Sequence, residues 1–480
     1  MVQRFDFVVI GNAALGLGLG HALKRRDPKV SVCIVGPSAR VGSATMTAGA
    51  MINVWAELAP QQFENPALAD RAQLSIDSIG QWDAYCEELS EFGGAKLKVD
   101  WGTLVLSNAA SSPHEKAYIE YLLKVLPERG VPHELVDPAS VPWLKPKAAI
   151  TKLLHVPDGR IRPHLVLNAL ERALDARGVT RLDTEAVTIE LQGPDKKISC
   201  ADGHQVVTQN VVFANGSFAQ RLVDQLPDVK RNTPRLVWGA GSAVDLALPD
   251  WVKKYGGIDP SIRDIDMVVR TVDRGGACGV HLVPYGNGEF YVGASSGVWF
   301  DPEPKPRVHG IHVLLHSLVE EFNGAFFFST MSIRGPGFRP TTVDAFPLFG
   351  ESHVKGIWFA NGTKRDGFTL SPHICRELAS SMLGGPSSLP PRFGPSRKLI
   401  SYKTKSAALA DTVGANFGGE VQHGLSLPAY AVDRYRSAML ASYEAIYEKR
   451  GITEFGIHPE LIHLYENDDF FAAIEHPREY

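Results

Sequence analysis

The chain opens on Phe5-Asp6-Phe7-Val8-Val9-Ile10, a short run rich in β-branched residues that stops at Gly11. From Leu15 to Lys24 the pattern suits a helix, and Val30-Ser31-Val32-Cys33-Ile34-Val35 reads as a second buried strand. Two strands around a helix within ~30 residues make a βαβ unit. Between the first strand and the helix lies Gly11-Asn12-Ala13-Ala14-Leu15-Gly16, where a G-x-G-x-x-G loop belongs. Gly11 permits the tight turn, Ala13 and Ala14 are small enough for backbone to approach a pyrophosphate, and Gly16 allows close packing of helix on strand. The helix start then offers free N–H groups and partial positive charge to phosphates. The simpler alternative is a glycine turn in an ordinary α/β core. One element is missing: the chain reads Val35-Gly36-Pro37 where an Asp or Glu usually binds ribose hydroxyls, which leaves Ser38 or Arg40 to hold that sugar.

Further along, the spacing of Leu68, Ala72, Ile76, Ile79, Trp82 and Leu89 predicts helix over 67–89. A strand is expected over Asp100–Leu106, a helix from Pro163 to Ala176, and strands near Ala186–Leu191 and Gln209–Ala214. Residues 230–300 look β-rich, with turns at Gly275-Gly276 and Asn287-Gly288, and a final helix is expected from Thr369 to Leu383. The 480 residues are 44% hydrophobic and 21% charged, with net charge −4, which describes a soluble globular chain of two or three domains. That slightly acidic balance argues against a general nucleic-acid binder. No stretch approaches the ~18–20 apolar residues of a membrane span. Five scattered cysteines form no Cys-x-x-Cys pair, Asp6 precedes the first apolar run, and glycines interrupt it. A reducing, cytoplasmic location is therefore expected.

Gly384-Gly385-Pro386 through Pro391 marks a break, and the segment after Ser401 carries 7 Lys/Arg against 12 Asp/Glu. Tyr435, Met439, Tyr443 and Tyr447 recur every four residues, one face of an amphipathic helix. Packing of this tail on its own body is the favoured reading; covering a site and forming a homo-oligomer contact are the alternatives. His458 and His463 are five apart on a Pro-interrupted segment, so they read as non-ligands, and no metal is expected.

Several segments in order resemble the FAD-dependent D-amino-acid oxidase/glycine oxidase superfamily. They are Gly42–Met51, a loop of small residues, Asp158-Gly159-Arg160-Ile161-Arg162-Pro163, Val211–Ser217, and Leu282–Gly286 with Val292-Gly293-Ala294. The strongest are Gly337-Phe338-Arg339-Pro340 through Asp344, Phe346-Pro347, and Ala360-Asn361-Gly362-Thr363-Lys364-Arg365-Asp366-Gly367-Phe368-Thr369. Together they cover about residues 1–400. The resemblance implies an α/β Rossmann-like FAD domain (1–60, 151–225 and 336–385) interleaved with an α+β substrate domain on a mixed or antiparallel sheet (61–150 and 226–335). Residues 386–480 would be linker and helical C-terminal extension. It places FAD, held noncovalently, against Ser43, Thr45, Thr47, Ala48 and Gly49, then Ala214 and Gly216, and finally Arg365 to Thr369. Val187 would offer backbone to adenine, and the helix opening at Gly367 would face the flavin edge that becomes anionic on reduction. Cys278 does not sit in the covalent attachment segment of sarcosine-oxidising relatives.

The same resemblance names candidate catalytic groups. Arg339 matches a position that holds substrate carboxylate, a task suited to a guanidinium fork; a structural ion pair is the alternative. Arg365 can reach substrate or cofactor. Lys364 would assist oxygen chemistry or stabilise reduced flavin, although a surface position is the simpler expectation. Met51, His281 and Tyr285 would line the substrate side. The implied reaction passes hydride from the carbon bearing nitrogen to flavin N5, with imine hydrolysis and O2 reduced to peroxide. The substrate would be an amine or amino acid. A 2-hydroxy-acid dehydrogenase and a flavin-holding subunit without catalysis are the competing readings.

Overall fold

The computed structural model describes residues 2–49, 51–249, 251, 260–272, 279–422 and 425–474. In chain order the strands begin with β1 (Gln3–Ile10), β2 (Val32–Val35), β3 (Met51–Ile52), β4 (Asp100–Asn108), β5 (Glu134–Leu135) and β6 (Ile150–Arg160). They continue with β7 (Thr180–Leu182), β8 (Ala186–Gln192), β9 (Asp195–Cys200), β10 (Gln205–Phe213), β11 (Leu236–Ala247) and β12 (Val268–Thr271). The last six are β13 (His281–Gly286), β14 (Glu289–Gly293), β15 (Gly297–Trp299), β16 (Thr330–Thr342), β17 (Leu348–Glu351) and β18 (Ile357–Asn361).

The first sheet runs β17-β18-β10-β1-β2-β7, with β9 on β10 and β8 on β9. Its centre is parallel, from β18 through β10, β1 and β2 to β7. Phe7 and Val9 of β1 enter one hydrophobic cluster while Val8 and Ile10 enter another, and β2 divides Ile34 from Cys33 in the same way. A parallel sheet covered on both faces thus explains why these strands read as continuous apolar runs. The helix Ala14–Arg26 lies on one face, and Gly20 brings it within reach of Ile34, where an added Cβ would meet Ile34 Cδ1 at 2.8 Å.

The second sheet runs β15-β11-β14-β13-β12-β4-β6-β3, with β16 on β11 and β5 on β6. It is antiparallel except where β12 lies parallel to β4. β3 and β6 belong to this sheet, although they fall inside the 1–60 and 151–225 stretches assigned from sequence to the cofactor domain. The helix expected over 67–89 is two helices, Pro66–Ile79 and Trp82–Ser90, parted at Gly80. The helix Pro163–Ala176 has its expected bounds, and the last helix of the body is Gly367–Met382. The turn expected at Gly275-Gly276 lies outside the described residues, as do Ala50 and Cys278.

The C-terminal extension is helical, with long helices Lys405–Gln422 and Ala429–Arg450 followed by short turns to Ala473. Tyr443, Tyr447, Leu461, Tyr465 and Phe470 pack in one cluster with Val237, Val343 and Ala345 of the body. Tyr465 Oη donates to Val343 O at 3.2 Å, so the extension is seated on its own chain. Of the four-residue stripe, Tyr443 and Tyr447 are buried while Tyr435 and Met439 are half-buried. No helix among the described residues is long and apolar enough to cross a membrane.

Candidate active site

A continuous cavity of about 560 Å³ runs from the Gly11 turn, past the 40–49 loop, to Arg339 and the 363–369 segment. At its first end Gly11 has φ +123°, and its N–H donates to Val35 O at 2.8 Å. A Cβ on Gly11 would lie 2.4 Å from Ala214 O, so only glycine fits between the ends of β2 and β10. Ala13, Ala14, Ala214 and Gly216 line the cavity here. Gly16 does not; a Cβ on it would meet Gly11 O at 1.8 Å, so it serves the contact of helix with turn.

The sugar-binding residues proposed from sequence are otherwise engaged. Ser38 donates through its N–H and Oγ to Asp183, at 2.6 and 2.8 Å, and stays outside the cavity. Arg40 does line it, but its Nε donates to Asn12 O at 2.8 Å and its Nη2 pairs with Glu171. An acidic residue does line this end of the cavity, Glu185, whose Oε1 lies 3.7 Å from Arg221 Nη1. Val187 points outward at 47% exposure, and its carbonyl accepts from Gln225 Nε2; its neighbours Glu185 and Ala186 line the cavity instead.

In the middle, Ser43, Thr45, Thr47, Ala48, Gly49 and Met51 form one wall. Phe338 N–H donates to Gly42 O at 2.8 Å, which ties this loop to β16. A Cβ on Gly49 would meet Tyr291 Cε1 at 2.5 Å and His281 Nε2 at 2.8 Å, so backbone passes flat across those rings. Tyr291 Oη donates to Thr47 O at 3.1 Å. His281 is buried and donates from Nδ1 to Gly279 O at 3.2 Å, which leaves Nε2 as acceptor. Burial, with the Arg270 cation, pushes its pKa down to about 3, so the ring is neutral.

Tyr285 is absent from this wall. The β13–β14 register shifts between Pro284 and Gly286, which turns Tyr285 to the outer groove, where Arg162 Nη2 donates to its carbonyl at 2.7 Å. Tyr291, on the neighbouring strand, holds the inner position that sequence reading assigned to Tyr285.

At the second end, Arg339 Nη2 donates to Ser295 O at 2.7 Å and Nη1 to Ser296 Oγ at 3.2 Å. Both acceptors are neutral, and no carboxylate lies within ion-pair distance among the described residues. The structural ion pair considered from sequence is therefore not what holds it. Gly241 makes the room: a Cβ there would sit 1.9 Å from Arg339 Nη2.

Lys364, Arg365, Asp366, Gly367, Phe368 and Thr369 close the cavity, and the helix begins at Gly367. Lys364 is 4% exposed, so the surface reading is corrected. Its Nζ lies 3.0 Å from Glu460 Oε2, while Arg365 Nη2 reaches Glu460 Oε1 at 2.9 Å. Asp366 is taken by Arg71, at 2.7 Å.

Sequence reading missed Asn53, Glu57 and Asn215, all in the wall. Val54, Trp55 and Ala56 donate their N–H groups to the Asp158 carboxylate, at 2.8–3.0 Å, which fixes the turn carrying Asn53 and Glu57. Burial raises Asp158 to about 6 against those three hydrogen bonds. Glu57 accepts from Arg270 at 3.0 Å; burial would raise its carboxyl, but Arg270 and Arg365 hold it at about 2. Asn53 Oδ1 and Asn215 Oδ1 are buried atoms with no protein partner, and both residues line the cavity. Polar atoms in that condition call for a ligand partner. With the glycine-shaped walls, they fit an extended dinucleotide.

The model of the FAD dependent oxidoreductase family (DAO) matches residues 6–381, and the chain belongs to that family. Among curated relatives, the bifunctional protein ThiO/ThiG of Trichormus variabilis is 24% identical over 387 residues, covering 76% of this chain and 51% of the relative. The chain spans about half the length of the curated relatives it matches. Among solved structures, glycine oxidase from Geobacillus kaustophilus aligns with TM-score 0.69 at 20% identity, covering 83% of this chain and 100% of that one. Iminodiacetate oxidase from Chelativorans sp. BNC1 aligns with TM-score 0.65 at 21% identity, covering 81% and 98%. Those likenesses establish the fold of the body, mixed sheets with helices, to which this chain's own structure adds a helical C-terminal region.

Proposed function

We propose that this FAD-dependent oxidoreductase oxidises an amine that carries a carboxylate, an amino acid or N-substituted amino acid, with dioxygen as acceptor and FAD held noncovalently. Arg339 carries this reading: a guanidinium in the cavity wall bonded only to neutral oxygens keeps its charge for an anion. A fork so placed recognises a carboxylate with two parallel hydrogen bonds. The names of two aligned structures, glycine oxidase and iminodiacetate oxidase, support the substrate class.

The residues of the first sheet and its turns would hold the cofactor: Gly11, Ala13 and Ala14 at the pyrophosphate, Glu185 at the sugar end, and Gly367 to Thr369 at the flavin edge. FAD supplies hydride acceptance and returns the electrons to oxygen. The chain itself orients. His281, neutral and with Nε2 as acceptor, and Tyr291 face the substrate side beside Gly49. Arg339 fixes the carboxylate, so the C–H bond is presented in one orientation, a proximity effect.

Anaerobic mixing of the yellow protein with a panel of amino acids, N-substituted amino acids and 2-hydroxy acids tests this. Bleaching by carboxylate-bearing amines, followed by oxygen uptake and peroxide release, is expected. Bleaching by hydroxy acids alone, or turnover only with dyes, refutes it.

A further inference from the structure

The family match ends at residue 381, yet the extension beyond it reaches the cavity wall. Lys364 Nζ lies between two side chains of that extension, Glu460 Oε2 at 3.0 Å and His458 Nε2 at 3.2 Å. Lys364 is buried, the Glu460 side chain keeps 7% exposure, and His458 is half-buried. We propose that the C-terminal extension completes the active site: Glu460 and His458 are positioning residues that hold Lys364 in the cavity wall as a group exchanging a proton with the substrate amine. This rests on the amine reading above and names the proton acceptor for it.

Two geometric facts lead there. First, one carboxylate, Glu460, serves two cations, Lys364 and Arg365. Loss of a proton from Lys364 leaves Glu460 still paired with Arg365, which also acts on Glu57, so the neutral amine strands no carboxylate in a buried place. Second, His458 Nδ1 accepts the Glu460 N–H at 3.2 Å, so a neutral ring carries its proton on Nε2, the atom facing Lys364. An ammonium there would set donor against donor; an amine accepts the Nε2–H. When Lys364 is protonated it donates to Nε2 instead, and the proton on Nδ1 costs the Glu460 N–H bond. The two proton states of Lys364 are thus linked to two tautomers of His458.

Electrostatics agrees. Burial lowers Lys364 to about 8, against the raising pull of Glu460, with Arg365 and Arg71 lowering it further. Burial and the same cations, with Lys403, hold His458 neutral. Lys403 is itself paired with Asp411 at 2.6 Å, and Arg71 with Asp366.

A second, polar cavity of about 110 Å³ adjoins the main one. Asn53, Glu57, Lys364, Arg365 and Asp366 belong to both walls, while Tyr402, Asp411 and His458 of the extension close the far side. It has room for several waters, which gives a proton on Lys364 a way out other than back through the substrate. In the transfer, an N–H bond of the substrate ammonium breaks, its proton forms an N–H bond at Lys364 Nζ, and the electron pair stays on the substrate nitrogen. The neutral amine so formed is the form that releases hydride.

The test is NMR of the full chain with its FAD, labelled at lysine Cε, with Lys364→Arg assigning the signal. A midpoint near 8 is expected, against about 10.4 for an ordinary lysine. Glu460→Gln removes a stabilising anion and moves the midpoint down by about one unit or more. His458→Asn removes the donor that stabilises the amine and moves it up. The acid limb of kcat/KM follows each shift in the same direction. A merely structural role lowers activity in both variants without opposite displacements. An ordinary midpoint, shifts of the same sign, or an acid limb that ignores them overturns the proposal. Absence of any amine turnover in the unaltered protein, with the midpoint near 8 retained, instead overturns the amine reading and with it the substrate as proton donor.

Discussion

Gly241→Ala adds one methyl group to the cavity wall, and its effect follows from one distance. The added Cβ would lie 1.9 Å from Arg339 Nη2, 2.4 Å from Cζ and 2.8 Å from Ser295 O. The guanidinium must retreat by about 1.5 Å to regain ordinary contact. Ser295 O is backbone in the same place, so retreat breaks the 2.7 Å bond from Nη2. One arm of the fork then no longer meets a bound carboxylate. A charge-assisted hydrogen bond of this kind contributes about 2 kcal/mol, so kcat/KM for a carboxylate-bearing amine should fall roughly 30-fold. The same amine without its carboxylate should be unaffected and FAD content retained, while the melting temperature falls modestly because the new Cβ also meets the backbone Ser295 O at 2.8 Å. Steady-state kinetics on the substrate pair reads the ratio directly. Equal losses for both substrates, or no loss for either, would refute the assignment of Arg339 as the carboxylate fork.

Gly11→Ala should yield folded but colourless protein, because the residue sits at φ +123° with Ala214 O 2.4 Å from the new Cβ; yellow protein of unchanged FAD affinity would contradict the site. Glu57→Gln should lower stability by about 3 kcal/mol in a denaturant melt, since it strips the carboxylate from fully buried Arg270. Glu57 is held at about 2, below its ordinary 4.5, so its contribution is present above 4.5 and fades as pH falls toward 2; the variant should lose that part of the acid dependence. Tyr285→Phe should leave kcat/KM within about twofold, because Tyr285 faces the outer groove; a larger loss would place it back on the substrate side.

The readable part of this chain is local. The βαβ start, the helix Pro163–Ala176 and the Gly367 helix were legible because short apolar runs, glycine turns and helical spacing act over a few residues. Gly11, Ala13, Arg339 and the 363–369 segment could likewise be singled out, since tight turns and guanidinium forks leave residue types in fixed order. Misplaced residues depended on register. Val187 turns its side chain outward at 47% exposure, and with the β13–β14 register shift at Pro284/Gly286 Tyr285 lies in the outer groove while Tyr291 lines the cavity. The helix over 67–89 broke at Gly80 because an apolar stripe alone does not report a change of axis.

Sequence by itself determined the family, the βαβ start around the Gly11 turn and the acidic character of the segment after Ser401. Each is written in contiguous residues whose backbone preferences hold in any surroundings. Only tertiary structure decided what faces what. Lys364 looked like a surface lysine until Glu460, about a hundred residues downstream, was brought to 3.0 Å from it. Burial and charge are properties of neighbours in space, so the state of Lys364, the neutrality of His281 and the charge kept by Arg339 are set by contacts between distant stretches of chain.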